Sequence, residues 1–78
     1  MRNELNDVVA LIERGELDEA SKRLNSPSAQ AAGQADRTYL SGYLAERSHE
    51  FEKAVVLYEK TLELAPDRYD AVFRLAYV

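Results

Sequence analysis

The 78-residue sequence contains no cysteine, only two prolines and three glycines, and no long apolar run. Without cysteine, neither a disulfide framework nor a thiolate metal site can supply stability. A chain of this length buries only about 60–65% of the surface that its unfolded form exposes. Helix packing or oligomerisation must therefore supply the stability, and the scarcity of proline and glycine leaves long stretches free to form helices.

Positive charge is also scarce, since 10 basic residues face 14 acidic ones and the net charge is −4. This sign opposes the field that attracts phosphate backbones, so nucleic-acid binding is not expected. No segment joins a basic face to a strongly apolar one, so membrane binding is not expected either. The N-terminus carries acids where a signal peptide needs a basic and then an apolar run. We therefore expect a cytoplasmic protein, although trimming of an exported parent would leave the same start.

No arrangement of residues points to catalysis, a cofactor or a metal. The single histidine, His49, precedes Glu50 as in the zinc motif H-E-x-x-H, but the closing position is Lys53, which cannot bind zinc while protonated. The three glycines are scattered and form no phosphate loop, and no nucleophile–base pair is present. We expect no enzyme activity, no cofactor and no metal, and we interpret His49 as a solvated turn residue.

Apolar residues at helical spacing predict five helices. They cover residues 3–14, 16–25, 35–47, 50–64 and 67–78. Gly15 follows the first helix, as glycine often does, and Pro66 closes the fourth. Residues 26–34 are small and polar, and they fit equally well a loop or a frayed helix start with Ser26 as N-cap.

The helices repeat with a period of 34 residues, since Leu17 and Phe51, like Ala20 and Ala54, are 34 positions apart. Three columns run through all three units: Leu5, Tyr39 and Phe73; Val9, Tyr43 and Tyr77; and the smaller Val8, Gly42 and Ala76. Thirty-four residues as helix–turn–helix is the tetratricopeptide period.

Residues 35–66 resemble a tetratricopeptide repeat in detail. The matching residues are the small Gly42 and Ala54, the aromatic Phe51 and Tyr58 at the core positions of the second helix, and the terminating Pro66. The sequence departs from the family at Thr38, Ser41 and Ala45, which are small where the family often has a larger aromatic or leucine. This hairpin is therefore expected to pack either more tightly or more loosely than its relatives.

The resemblance implies an all-α fold, an α-solenoid of antiparallel helical hairpins with right-handed superhelical stacking, in one domain over residues 1–78. Residues 1–34 would form a degenerate repeat, 35–68 a full repeat and 69–78 the first helix of a partial one. It also places Gly42 against Ala54. Because a solenoid buries each repeat against its neighbours, either the chain is a fragment of a longer array or another molecule covers its last helix.

In the resembled fold, the inner columns of the first helices line a concave groove. The candidate protein-binding residues are Leu5, Val9, Tyr39, Tyr43, Arg47, Phe73, Arg74 and Tyr77. Aromatic and arginine side chains are frequent hot spots, so the sequence favours a module that binds a peptide or helix of a partner protein. The rings fit equally well as fillers between helices. The alternative function is a structural or self-assembling unit, a homo-oligomer formed through the terminal helix.

Some chaperone-binding members of the family hold a peptide's terminal carboxylate with lysine, asparagine and arginine in this groove. At the matching positions the chain has Leu5, Val9, Leu40, Asp70 and Arg74. Only the arginine remains, so we expect no appreciable affinity for acidic C-terminal chaperone tails.

Overall fold

A computed structural model describes residues 4–26 and 33–78, and the regular structure within these ranges is entirely helical. The helices are α1 (Glu4–Glu13), α2 (Leu17–Leu24), α3 (Gln34–Arg47), α4 (Phe51–Leu64) and α5 (Tyr69–Tyr77). The predicted all-α class and the five helices are confirmed, with every boundary within two residues of its expected place. The choice between loop and helix for residues 26–34 falls largely outside the described residues.

Each helix packs against a neighbour in sequence, with the closest association between α3 and α4, and α1 also contacts α3. The beginning of α1 meets the beginning of α3, where Leu5 and Tyr39 line one depression. An ion pair joins Arg74 in α5 to Glu46 near the end of α3. The helices α1, α3 and α5 therefore run in the same direction, while α2 and α4 return between them.

The core consists of two clusters, and the half-buried Tyr39 packs against both. The first cluster joins α1, α2 and α3 through Leu5, Val8, Leu11, Ile12, Ala20, Leu24, Leu40 and Tyr43. The second joins α3, α4 and α5 through Ala45, Ala54, Tyr58 and Ala71. Each fully buried aliphatic side chain contributes about 1.5–3 kcal/mol relative to exposure. Tyr39 therefore connects the core of the first hairpin to the core of the second.

The turn after α1 is a Schellman motif centred on Gly15. Gly15 has a φ of 82°, its N–H donates to the carbonyl of Ile12 at 3.0 Å, and the N–H of Glu16 donates to the carbonyl of Leu11 at 2.9 Å. These two bonds satisfy carbonyls that the end of a helix leaves without partners. Glycine accepts the left-handed conformation at no steric cost.

The same turn follows α3, 34 positions along the chain. His49 has a φ of 64°, and its N–H donates to the carbonyl of Glu46 at 3.0 Å. The N–H of Glu50 donates to the carbonyl of Ala45 at 2.8 Å. His49 is exposed and occupies the position in this turn that Gly15 occupies in the first one. A residue with a side chain adopts this left-handed conformation only at a steric cost. The two hairpins share backbone geometry as well as apolar spacing.

We predict that His49→Gly raises stability by about 0.5–1 kcal/mol, because glycine removes the strain of a positive φ. The matched variant Gly15→Ala introduces that strain at the equivalent position, where a Cβ meets no atom within 4 Å, and should cost about 1 kcal/mol. Thermal midpoints of both variants test the motif. A loss of stability in His49→Gly would contradict it.

Gly42 faces Tyr58 and not Ala54, so the expected contact is wrong. A Cβ on Gly42 would lie 2.8 and 2.9 Å from two ring atoms of Tyr58 and 3.3 Å from the Cβ of Leu57. The ring reaches α3 from one helical turn beyond Ala54, and the missing Cβ gives it room. Tyr58 is fully buried as a result.

Phe51 was expected in the core, but it is half exposed. The reason is its place as the first residue of α4, where its ring packs edge-on against His49 with centroids 5.6 Å apart. The buried face of α4 consists of Ala54, Tyr58 and Thr61. Thr61 remains satisfied because its hydroxyl donates to the carbonyl of Leu57 at 2.8 Å.

The small residues of α3 leave a depression of about 420 Å³ between α2, α3 and α4. Ser41 and Ala45 line it on the α3 side and Leu24 on the α2 side.

We predict that Gly42→Ala lowers stability by about 1–3 kcal/mol, because the buried ring of Tyr58 and the Cβ of Leu57 occupy the space that the added methyl needs. The sign is diagnostic, since the same change inside an exposed helix gains about 1 kcal/mol. In the control Gly33→Ala, the new Cβ meets only a carboxylate oxygen of Asp36 at 3.6 Å, and the loss should stay below about 1 kcal/mol. A raised thermal midpoint for Gly42→Ala would refute the contact.

Candidate protein-binding groove

The eight predicted groove residues lie on α1, α3 and α5, which run in the same direction. Two adjoining depressions occur on this side of the molecule. One of about 240 Å³ is lined by Leu5, Asn6, Val9, Asp36, Tyr39, Leu40, Arg68 and Asp70. The other, of about 410 Å³, is lined by Tyr39, Asp70, Phe73, Arg74 and Tyr77. They share Tyr39 and Asp70, and we call them together the α1–α3–α5 groove.

Six of the eight predicted residues line this groove, whereas Tyr43 and Arg47 do not. Tyr43 is buried in the first core cluster, so its ring lies beneath the surface and helps to join α1 and α3. Leu5 is buried as well and contributes only to the floor. Arg47 is exposed in the last turn of α3, outside both depressions. For Tyr43, the packing interpretation is therefore the better one.

The outer wall of the groove is an exposed aromatic pair on α5. Phe73 is 64% exposed and Tyr77 is 75% exposed, and their ring centroids lie 5.6 Å apart. Residues four apart on a helix lie one above the other, so the two rings form one surface. The opposite face of α5 is anchored through the buried Ala71 and the half-buried Leu75.

Arg74 is held by partners within the chain. Its Nη1 lies 3.2 Å from Oε2 of Glu46, and its guanidinium carbon lies 4.5 Å from the centroid of the Tyr43 ring. The other oxygen of Glu46 accepts a hydrogen bond from the Tyr58 hydroxyl at 2.8 Å. Arg74 thus links α5 to α3 and α4, and its charge is balanced before any ligand arrives.

A second arginine link, which the sequence interpretation missed, lies at the other end of the groove. Arg68 donates to Oδ1 of Asp36, and its Nε and Nη2 donate to the two carboxylate oxygens of Asp70 at 3.1 and 3.0 Å. Its guanidinium carbon lies 4.9 Å from the centroid of the Tyr39 ring. The hydrogen bonds from Arg68 lower the pKa of Asp70, and the bond to Asp70 is the largest cause that raises the pKa of Arg68.

One sequence signal could have revealed this end of the groove. Asp36 and Asp70 stand in the first turns of α3 and α5 and are 34 positions apart, so they form a further column of the repeat. This column is acidic, unlike the three apolar columns. Arg68 precedes α5 and has no such signal, because its role depends on how α5 is placed against α3.

Charge at this end is arranged with the carboxylates outermost. The side chains of Asp36 and Asp70 are 51% and 47% exposed, whereas that of Arg68 is 23% exposed. Two carboxylates surround one guanidinium, which leaves one negative charge in excess. The groove therefore presents negative charge beside the wall formed by Phe73 and Tyr77.

The remaining observations concern metals, membranes and similar proteins. Among the described residues, no three side chains of the metal-binding kinds form a cluster. Within the ranges 4–26 and 33–78, none of the helices has the length and apolar character to cross a bilayer. No protein-family model, curated protein or solved structure that we compared with the chain matches it.

We predict that stability falls as pH rises above about 10 because of Tyr58. Burial, followed by the hydrogen bond to Glu46, raises the pKa of its hydroxyl. Unfolded tyrosine titrates near pH 10, so above about this pH the unfolded state binds fewer protons than the folded state and is favoured.

Urea unfolding of the wild type and Tyr58→Phe at several pH values measures this effect. Near neutral pH, the variant should be less stable by about 1–3 kcal/mol, because Glu46 loses a hydrogen bond. The difference should shrink as pH rises past about 10. A difference that stays constant with pH would show that Tyr58 titrates normally.

Proposed function

We propose that the chain is a protein-interaction module of the tetratricopeptide kind, which binds a peptide or helix of a partner protein in the α1–α3–α5 groove. The observation that carries the proposal is the exposed pair Phe73 and Tyr77, since such rings on an anchored helix supply contact area at low entropic cost. No catalytic role and no cofactor form part of the proposal.

The proposed architecture is an α-solenoid of antiparallel hairpins with right-handed superhelical stacking, in one domain. Two observations support it. The turns at Gly15 and His49 repeat the same hydrogen bonds 34 positions apart, and α1 contacts α3 across the intervening α2. A cytoplasmic location fits the absence of cysteine, since disulfides are characteristic of exported small domains.

The groove is suited to binding because its wall on α5 is fixed to α3 by contacts that do not involve the exposed rings. Arg74 and Arg68 attach α5 to α3 at two points, over the rings of Tyr43 and Tyr39. Arginine above an aromatic face gains about 0.5–2 kcal/mol, depending on exposure. The wall therefore stays in place while its rings face solvent, which reduces the ordering that binding would otherwise require.

The second candidate function, self-assembly, is supported by the other edge of α5. Tyr69, Val72 and Ala76 are exposed there at helical spacing, on the side away from Asp70 and Arg74. A helix that is apolar on nearly all sides is usually buried. A second copy of the chain would cover this edge, and a sedimentation mass above 8.8 kDa that Val72→Glu returns to that value would favour self-assembly.

We predict that the double variant Phe73→Ala with Tyr77→Ala folds normally and loses binding of groove ligands. Both rings are exposed, so helicity and thermal midpoint should change little, whereas truncation of each hot spot costs about 2 kcal/mol or more of binding free energy. Tyr43→Ala should instead lose about 2–4 kcal/mol of folding stability, because its ring is buried.

Peptides selected on the wild-type chain from a displayed random library provide the binding measurement, with circular dichroism on the same samples. Val56→Ala is the matched control, since it truncates an exposed apolar side chain on α4 outside the groove. Selected peptides that bind the double variant as tightly as the wild type would refute the proposal.

A further inference from the structure

We infer that the α1–α3–α5 groove selects a basic segment, in which a lysine or arginine lies against Asp36 and Asp70 and a neighbouring apolar side chain packs on Phe73 and Tyr77. This inference rests on the proposed function and names the chemistry of its partner. The argument comes from the acidic end of the groove, from the aromatic wall beside it and from the charge that lies beyond the groove on α3.

Within the part of the chain that the structure describes, the ion pairs of the carboxylate end leave one negative charge in excess. Arg68 supplies one positive charge to two carboxylates and is the least exposed of the three side chains. A carboxylate has about four acceptor sites. Arg68 and the backbone N–H of Ala71 occupy three sites of Asp70, whereas Asp36 accepts one hydrogen bond from Arg68. Asp36 therefore has the greater capacity for a second donor. Both carboxylates are more exposed than Arg68, so an approaching cation meets them first.

The aromatic wall begins beside this acidic end. Asp70 lies in the same depression as Phe73 and Tyr77, and the three residues fall on one side of α5. A cation that binds a carboxylate there can place its aliphatic stem along the rings, and ring faces also attract cations directly. An acidic segment would meet repulsion at the same place, because the guanidinium of Arg74 is already paired with Glu46.

Beyond the other end of the groove, α3 bears the opposite charge. Asp36 stands in the first turn of α3 and Arg47 in its last, about 16 Å apart at the rise of an α-helix. A helical partner favours basic residues near its own C-terminus. Such a partner would therefore lie antiparallel to α3, with its basic end at Asp36 and Asp70 and its N-terminal end towards Arg47.

The test uses a charge-unbiased library of random 12-residue peptides, selected on the full chain at low salt. Enriched peptides should carry more lysine and arginine than the unselected library. Their affinity should fall about threefold in Asp36→Asn, an effect that weakens at high salt because exposed charges are screened. The control Glu59→Gln makes the same change of charge at an exposed site on α4 and should leave affinity unchanged.

The outcomes separate the inference from the function on which it rests. Neutral or acidic peptides that bind the wild type and not the Phe73→Ala, Tyr77→Ala double variant would overturn the inference and keep the groove. Equal losses in Asp36→Asn and Glu59→Gln would overturn it too, because they would indicate attraction by net charge alone. Failure to enrich any peptide, or enrichment that ignores the double variant, would remove the proposed function itself.

Discussion

The contact between Gly42 and the ring of Tyr58 is the constraint on which the rest of the structure depends. The missing Cβ of Gly42 lets α3 and α4 approach until the ring is fully buried. The ring also packs against Tyr39, with centroids 5.7 Å apart, and Tyr39 belongs to both core clusters. One close approach in the middle hairpin thereby orders the helices on both sides.

The hydroxyl of Tyr58 links the contact with Gly42 to the position of α5 at the groove. Its hydroxyl donates to Glu46, which binds Arg74, which in turn covers the ring of Tyr43. Buried polar groups stabilise a fold only when all of them are satisfied, and this chain of contacts meets that condition. The wall of Phe73 and Tyr77 on α5 is thus positioned in part by Tyr58, a residue of α4.

Local sequence patterns predicted the helices and the 34-residue period. The contacts between helices depend on how the helices pack against one another, which these patterns do not specify. Apolar spacing and single punctuating residues suffice for helix boundaries, since they act within a few positions. The pairing of Gly42 with Tyr58 in place of Ala54, and the exposure of Phe51, depend on how far one helix slides along another. The spacing of Asp36 and Asp70 is visible in the sequence, but the role of Arg68 exists only once α5 lies against α3.

The central claim is that Tyr58 and Arg74 act as one unit through Glu46, and a double-mutant cycle on folding stability tests it most directly. Tyr58→Phe removes the hydroxyl, and Arg74→Met removes the charge while keeping much of the length. Urea unfolding of both single variants and the double variant should give a coupling energy of about 0.5–1.5 kcal/mol, as expected for residues in one hydrogen-bond network. Additive losses, with a coupling indistinguishable from zero, would contradict the account.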